Sequence, residues 1–112
     1  MHELGVVLEI FDLVEEIMKE QGLKKVSSIT VEVGELSGIL PDYLSECWKV
    51  ARLGGTFDNT ELKLIHIPAT ARCTCGAEYE MTRNNRICPK CHKTDYEVIK
   101  GREFMVLSIE AC

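Results

Sequence analysis

The sequence predicts an α+β protein, a small α/β layer of two helices on a three-stranded mixed or antiparallel sheet, with a cysteine-held lobe inserted before the last strand. Three observations carry this. Apolar residues recur at helical spacing in two segments, and they alternate with polar residues in three others. Four of the six cysteines crowd into the stretch between the last two strand-like segments.

Val6, Val7, Ile10, Leu13, Val14, Ile17 and Met18 share one helical face, with Glu9, Asp12, Glu15, Glu16 and Lys19 between them. The pattern predicts a helix over about residues 5–20, stopped at Gly22. Ile29, Val31 and Val33 alternate with Thr30 and Glu32, giving a strand with one buried face. Gly34 and Gly38 bracket a turn. Pro41 suits the first turn of a second helix that runs to about Leu53 and ends at Gly54-Gly55, with Leu44, Cys47, Trp48 and Ala51 as its inner stripe. Leu62, Leu64 and His66 alternate with Lys63, Ile65 and Ile67 in a second strand that meets Pro68. His66 reads as a strand residue rather than a ligand. The third strand spans Glu103 to Glu110, with Phe104, Val106 and Ser108 on one side and Met105, Leu107 and Ile109 on the other. The second and third strands flank the insertion, so their direct antiparallel pairing, with the lobe at its end, is the simplest path. The domain division follows: residues 1–70 plus 97–112 form the α/β part and residues 71–96 the lobe.

Composition narrows the functional classes. The chain has 112 residues, 46% hydrophobic and 28% charged, ordinary for a globular domain and too apolar for disorder. No stretch approaches the roughly 20 apolar residues of a membrane span. The first residues carry His2, Glu3, Glu9, Asp12, Glu15 and Glu16, unlike a secretory signal, so a cytoplasmic location is expected. A net charge of −5 argues against a generic polyanion binder, and hence against nucleic acid as partner. The lobe itself is slightly basic: Arg72, Arg83, Arg86, Lys90 and Lys93 oppose Glu78, Glu80 and Asp95. Only Tyr79 adds an aromatic, so a zinc-ribbon interaction module for protein or nucleic acid is the alternative reading.

Cys73-Thr74-Cys75 and Cys88-Pro89-Lys90-Cys91 form two close pairs. In a reducing compartment such pairs are metal ligands before they are disulfides. Zinc takes four thiolates in a tetrahedron, and a closed site of that kind is structural, with no vertex for substrate. The site makes the lobe zinc-ribbon-like. Cys88 to Cys91 has the usual knuckle spacing. One residue between Cys73 and Cys75 demands a local bend, which Gly76 permits. A redox switch that ejects zinc is the competing role for these thiols. A thiol redox enzyme fits less well, because no strand-to-helix context surrounds Cys88-Pro89-Lys90-Cys91. Cys47 reads as a small core residue, Cys112 as a frayed end, and His92 as lying outside the four-sulfur shell.

Met1-His2-Glu3 packs an α-amine, backbone amides, an imidazole and a carboxylate within chelating reach. Nickel(II) favours square-planar or tetragonal nitrogen and oxygen donors, which this set supplies. Histidine in second place also blocks removal of the first methionine, keeping amine and imidazole in register. The other reading is an ordinary frayed terminus.

Taken in order, Met1-His2-Glu3-Leu4, Val33-Gly34-Glu35-Leu36-Ser37, Pro41-Asp42-Tyr43-Leu44, Ile67-Pro68-Ala69-Thr70-Ala71-Arg72-Cys73, Cys88-Pro89-Lys90-Cys91 and Leu107-Ser108-Ile109-Glu110 resemble the HypA/HybF family of nickel metallochaperones over nearly the whole length. The resemblance implies a protein without catalytic activity. It implies a nickel site with His2 as ligand and Met1 and Glu3 as adjoining donors, and structural zinc on Cys73, Cys75, Cys88 and Cys91. It further implies transient nickel cargo passed, with the nucleotide-hydrolysing partner HypB, to the hydrogenase large subunit precursor, with urease maturation served by some members. A homodimer is left open. The sequence departs from the family in its first cysteine pair, which usually has two intervening residues.

Overall fold

The computed structural model of the chain describes residues 3–112. Its elements run α1 (Glu3–Gln21), β1 (Val26–Gly34), α2 (Pro41–Ala51), β2 (Glu61–Ile67), β3 (Ala69–Cys73), β4 (Glu78–Met81), β5 (Tyr96–Lys100) and β6 (Phe104–Ala111). The architecture is α+β, as predicted, with two three-stranded sheets, β2-β1-β6 and β4-β3-β5. The second sheet was not anticipated: the lobe builds its own from three short strands.

The predicted direct pairing of β2 with β6 is corrected, because β1 lies between them. The reason is the connection through α2. Thr60, just before β2, donates its hydroxyl to the Val26 carbonyl at the start of β1, 2.7 Å away. The amides of Lys24 and Lys25 instead reach the Cys112 carbonyl past the end of β6, at 2.9 and 3.2 Å. Hence β1 runs parallel to β2, across a helical crossover, and antiparallel to β6. A central β1 explains why Ile29, Val31 and Val33 are the most apolar alternation in the chain; all three are buried.

Helix α1 starts two residues earlier than predicted and stops at Gly22, whose φ of 65° is left-handed. Its buried stripe is Glu3, Val7, Ile10 and Val14; Leu13, predicted inward, is 45% exposed. Helix α2 ends at Ala51 rather than Leu53, with Gly54 at φ 72° beyond it. Leu44 and Trp48 are buried as predicted, whereas Cys47 and Ala51 are half-buried.

The contacts divide the chain into two compact units, one of residues 1–31, 39–65 and 106–112, the other of residues 32–38 and 66–105. In the first, Phe11 stacks on Phe57 with centroids 5.0 Å apart and meets the Trp48 ring edge-on at 5.1 Å. Trp48 Nε1 and Arg52 Nη1 both donate to the Thr60 carbonyl, at 3.0 and 2.7 Å. Phe57, from the α2–β2 connection, is a core residue that the sequence pattern did not reveal. In the second unit, Ala69, Ala71, Cys73, Tyr79, Met81 and Cys88 form the core, with Leu36, Ala77, Cys91 and Tyr96 packed against it.

Candidate metal centre

The four-sulfur group grows out of strand periodicity. Ala69, Ala71 and Cys73 share the inward face of β3. The strand ends at Cys73, and the tight turn that follows, with Cys73 at its first and Cys75 at its third position, folds Cys75 back beside Cys73, so one intervening residue suffices. The turn is closed by Gly76 N to Cys73 O and Cys73 N to Ala77 O, each 2.8 Å, and Gly76 adopts φ 94°. The predicted bend at Gly76 is thus present. The second pair sits on a knuckle in which His92 N donates to Cys88 O and Cys88 N to Lys93 O, both at 2.9 Å. His92 itself takes φ 63°. Its ring is exposed, and it stands outside the group.

The Sγ atoms of Cys73, Cys75, Cys88 and Cys91 all lie within 4.8 Å of one another. Cys73 and Cys91 approach to 3.3 Å, Cys75 and Cys88 to 3.8 Å. A tetrahedron with zinc–sulfur bonds of about 2.3 Å has sulfurs about 3.8 Å apart, so the donor set fits zinc. Electrostatics point the same way. The Cys91 and Lys90 amides hold the Cys88 thiol down to about 7, against burial. The Cys75 amide lowers Cys73. The Lys93 amide lowers Cys91 too, but the crowding Cys73 sulfur and burial outweigh it and push that thiol up to about 12. The cluster therefore ionises in part by itself and needs a cation to ionise fully. Cys73 and Cys88 are buried, Cys91 half-buried and Cys75 exposed. Cys47 and Cys112 lie outside the group.

Met1 and His2 lie outside the described residues. Glu3, at the head of α1, is buried, and its Oε2 accepts the Leu40 amide at 3.1 Å, just before α2.

A second polar cluster was missed. Glu35, at the turn after β1, accepts from His66 Nε2 at 2.8 Å and from the Arg83 amide at 3.0 Å. The Arg83 amide first, then the His66 hydrogen bond, lower the Glu35 carboxyl below its ordinary value. Beside it, the Leu36 amide donates to the Gly101 carbonyl at 2.7 Å, and a side chain at Gly34 would collide with that same carbonyl. Gly101, at φ 116°, in turn lies against Ala69, which a Cβ at Gly101 would meet at 2.5 Å. The Val33-Gly34-Glu35-Leu36 segment thus has a physical account: close approach, ionic clip and core contact in successive residues. No period in the sequence signals such a pairing across more than thirty residues.

A family profile described as "Hydrogenase/urease nickel incorporation, metallochaperone, hypA" matches residues 1–111. The hydrogenase maturation factor HypA of Streptomyces avermitilis is 34% identical over 112 residues, covering 97% of this chain and 86% of that one. Its counterpart from Chlorobium limicola is 33% identical, covering 97% and 95%. The solution structure of the Ni metallochaperone HypA from Helicobacter pylori superposes with a TM-score of 0.67 at 24% identity, over 99% of this chain and 97% of that one. It therefore supports the fold.

Proposed function

We propose, from the premise that this chain belongs to the HypA family of hydrogenase/urease nickel-incorporation metallochaperones, that it captures Ni(II) at its N-terminus and surrenders it to a maturation partner. His2 is the principal ligand in this reading, with Met1 and Glu3 as adjoining donors. Cys73, Cys75, Cys88 and Cys91 hold structural zinc. The nickel-handling part is residues 1–70 with 97–112, and the zinc lobe residues 71–96. HypB receives or gates the cargo, the hydrogenase large subunit precursor is its destination, urease is a second outlet, and the setting is the cytoplasm. A homodimer is compatible with all of this.

The observation that supports the division of labour is the closure of the four-sulfur group. Four thiols within 4.8 Å leave zinc no open vertex. Cargo must then find donors elsewhere, and the leading residues offer the amine, amide and imidazole set that nickel prefers. The Glu3 carboxylate is fixed on the Leu40 amide, which gives the start of the chain one defined anchor. Divalent copper outranks nickel at any such site, so selectivity must come from geometry and a specific hand-over rather than affinity. Histidine in second rather than third place interrupts the chelate run and keeps the cargo exchangeable.

Metal analysis of untagged protein, as purified and after nickel loading, tests the reading. Wild type should carry zinc and take up nickel. His2→Ala, or residues appended before Met1, should lose the nickel and keep the zinc. Stoichiometric nickel in either variant, or nickel held only by the sulfurs, overturns it.

A further inference from the structure

Helices α1 and α2 run parallel and in register. Glu3 meets Leu40 and Phe11 meets Trp48, an offset of 37 residues in both places. The sides on which they adjoin are apolar above the core as well as within it. Leu4 and Leu8, one turn apart on α1, are 55% and 50% exposed. On α2, Ser45, Lys49 and Arg52 adjoin Glu61 and Leu62 at the start of β2, and Tyr43 and Val50, two turns apart on the flank away from β2, are 62% and 70% exposed. By the shared register Tyr43 stands level with the space between Leu4 and Leu8. Exposed apolar residues thus flank the line along which the two helices pair, which makes a shallow groove there apolar on both sides.

Its charge selects an occupant. Helix α1 carries Glu3, Glu9, Asp12, Glu15, Glu16 and Glu20 against Lys19, a net −5 equal to the formal charge of the entire chain. Glu9, Asp12, Glu15 and Glu16 are exposed. None of these four takes part in an ion pair among the described residues. Glu15 continues the Leu4–Leu8 row, with Asp12 and Glu16 beside it, so the groove is apolar at the N-terminal end of α1 and acidic further along. A second copy laid here would bring like-charged helices together. We infer that this groove docks a cationic amphipathic helix of a partner protein, with its apolar residues on Leu4, Leu8, Tyr43 and Val50 and its lysines or arginines along Asp12, Glu15 and Glu16.

The inference stands apart from the nickel reading and is tested separately. Amide spectra of isotope-labelled full-length protein are titrated with a synthetic leucine–lysine amphipathic helix, and with a leucine–glutamate helix of the same pattern. The lysine peptide should shift α1 and α2 resonances, the glutamate peptide should bind at least about tenfold more weakly, and added salt should weaken the first. Leu8→Asp should weaken the lysine peptide about tenfold, and the double variant Glu15→Lys with Glu16→Lys at least several-fold. Circular dichroism, zinc content and nickel uptake of the variants should match wild type, which separates docking from folding and from cargo. Shifts centred on another surface, equal binding of the two peptides, or unchanged affinity in Leu8→Asp overturns the inference. So does wild-type dimerisation by sedimentation that Leu8→Asp abolishes, because a second copy would then be the occupant.

Discussion

Glu35 and His66 stand 2.8 Å apart, carboxylate oxygen to imidazole Nε2, and the same carboxylate also receives the Arg83 amide. One side chain thereby ties the turn after β1 to the end of β2 and to the hairpin that leads toward Cys88.

The Glu35 carboxyl is lowered, by the Arg83 amide first and by His66 second. A group whose folded pKa is depressed contributes stability above its unfolded value and loses it as pH falls through the folded value. Wild type should therefore gain stability over Glu35→Gln as pH rises from acid to about 5.5, by about 1 kcal/mol once solvent screening is allowed for. Urea titrations at a series of pH values measure the difference. A gap between the two proteins that does not change across that range contradicts the clip.

Gly101→Ala should cost about 2 kcal/mol or more, because φ of 116° and the contact with Ala69 both oppose a Cβ. Gly34→Ala should cost a similar amount, through collision with the Gly101 carbonyl. Gly5→Ala, where a Cβ meets nothing within 4 Å, should instead be neutral or mildly stabilising. Thermal melts of the three variants rank them. Equal melting points would mean that the backbone at Gly34 and Gly101 relaxes freely.

Zinc binding should expel protons. With Cys91 pushed up to about 12 and Cys88 held down to about 7, the metal-free cluster near neutrality keeps the proton on the first and is partly ionised at the second. Calorimetry in buffers of different ionisation enthalpy should show more than one proton released per zinc, with affinity rising as pH rises. Replacing Cys88, buried and central to the lobe core, with Ser should abolish stoichiometric zinc and loosen β3, β4 and β5. Release of less than one proton would contradict the ionisation pattern.

Nickel held by an amine and an imidazole competes with protons. Affinity should fall steeply below about pH 6.5, where an ordinary imidazole charges, while thiolate-held zinc is retained over the same interval. Flat nickel affinity from pH 8 to 6, followed by titration calorimetry, argues for a different ligand set.

Local patterns were legible and long-range pairings were not. Gly22 and Pro41 mark real helix boundaries because capping and φ restriction act within a few residues. The two cysteine pairs announced one site because their spacing is itself the chelate geometry. Strand order was misread: the connection between β2 and β6 looked like the return of a hairpin, whereas the crossover through α2 had already placed β2 alongside β1. Phe57 sits in the Gly54-Gly55-Thr56-Phe57-Asp58-Asn59 connection, which has no period, so its burial became visible only with Phe11 and Trp48 around it. Glu35 and His66 read as an unremarkable turn acid and a strand histidine until the fold set them face to face. Leu13 satisfied the helical spacing yet stayed in solvent, because α1 buries a narrower stripe than its apolar content suggests.

The sulfur quartet has an inner wall and an outer corner. Cys73 and Cys88 are buried in the core that includes Tyr79 and Met81, while Cys75 is exposed on its turn. Of the four thiols, Cys75 is the one most open to a chelator, a rival ion or an oxidant. The one-residue spacer thus leaves the quartet open to solvent at Cys75.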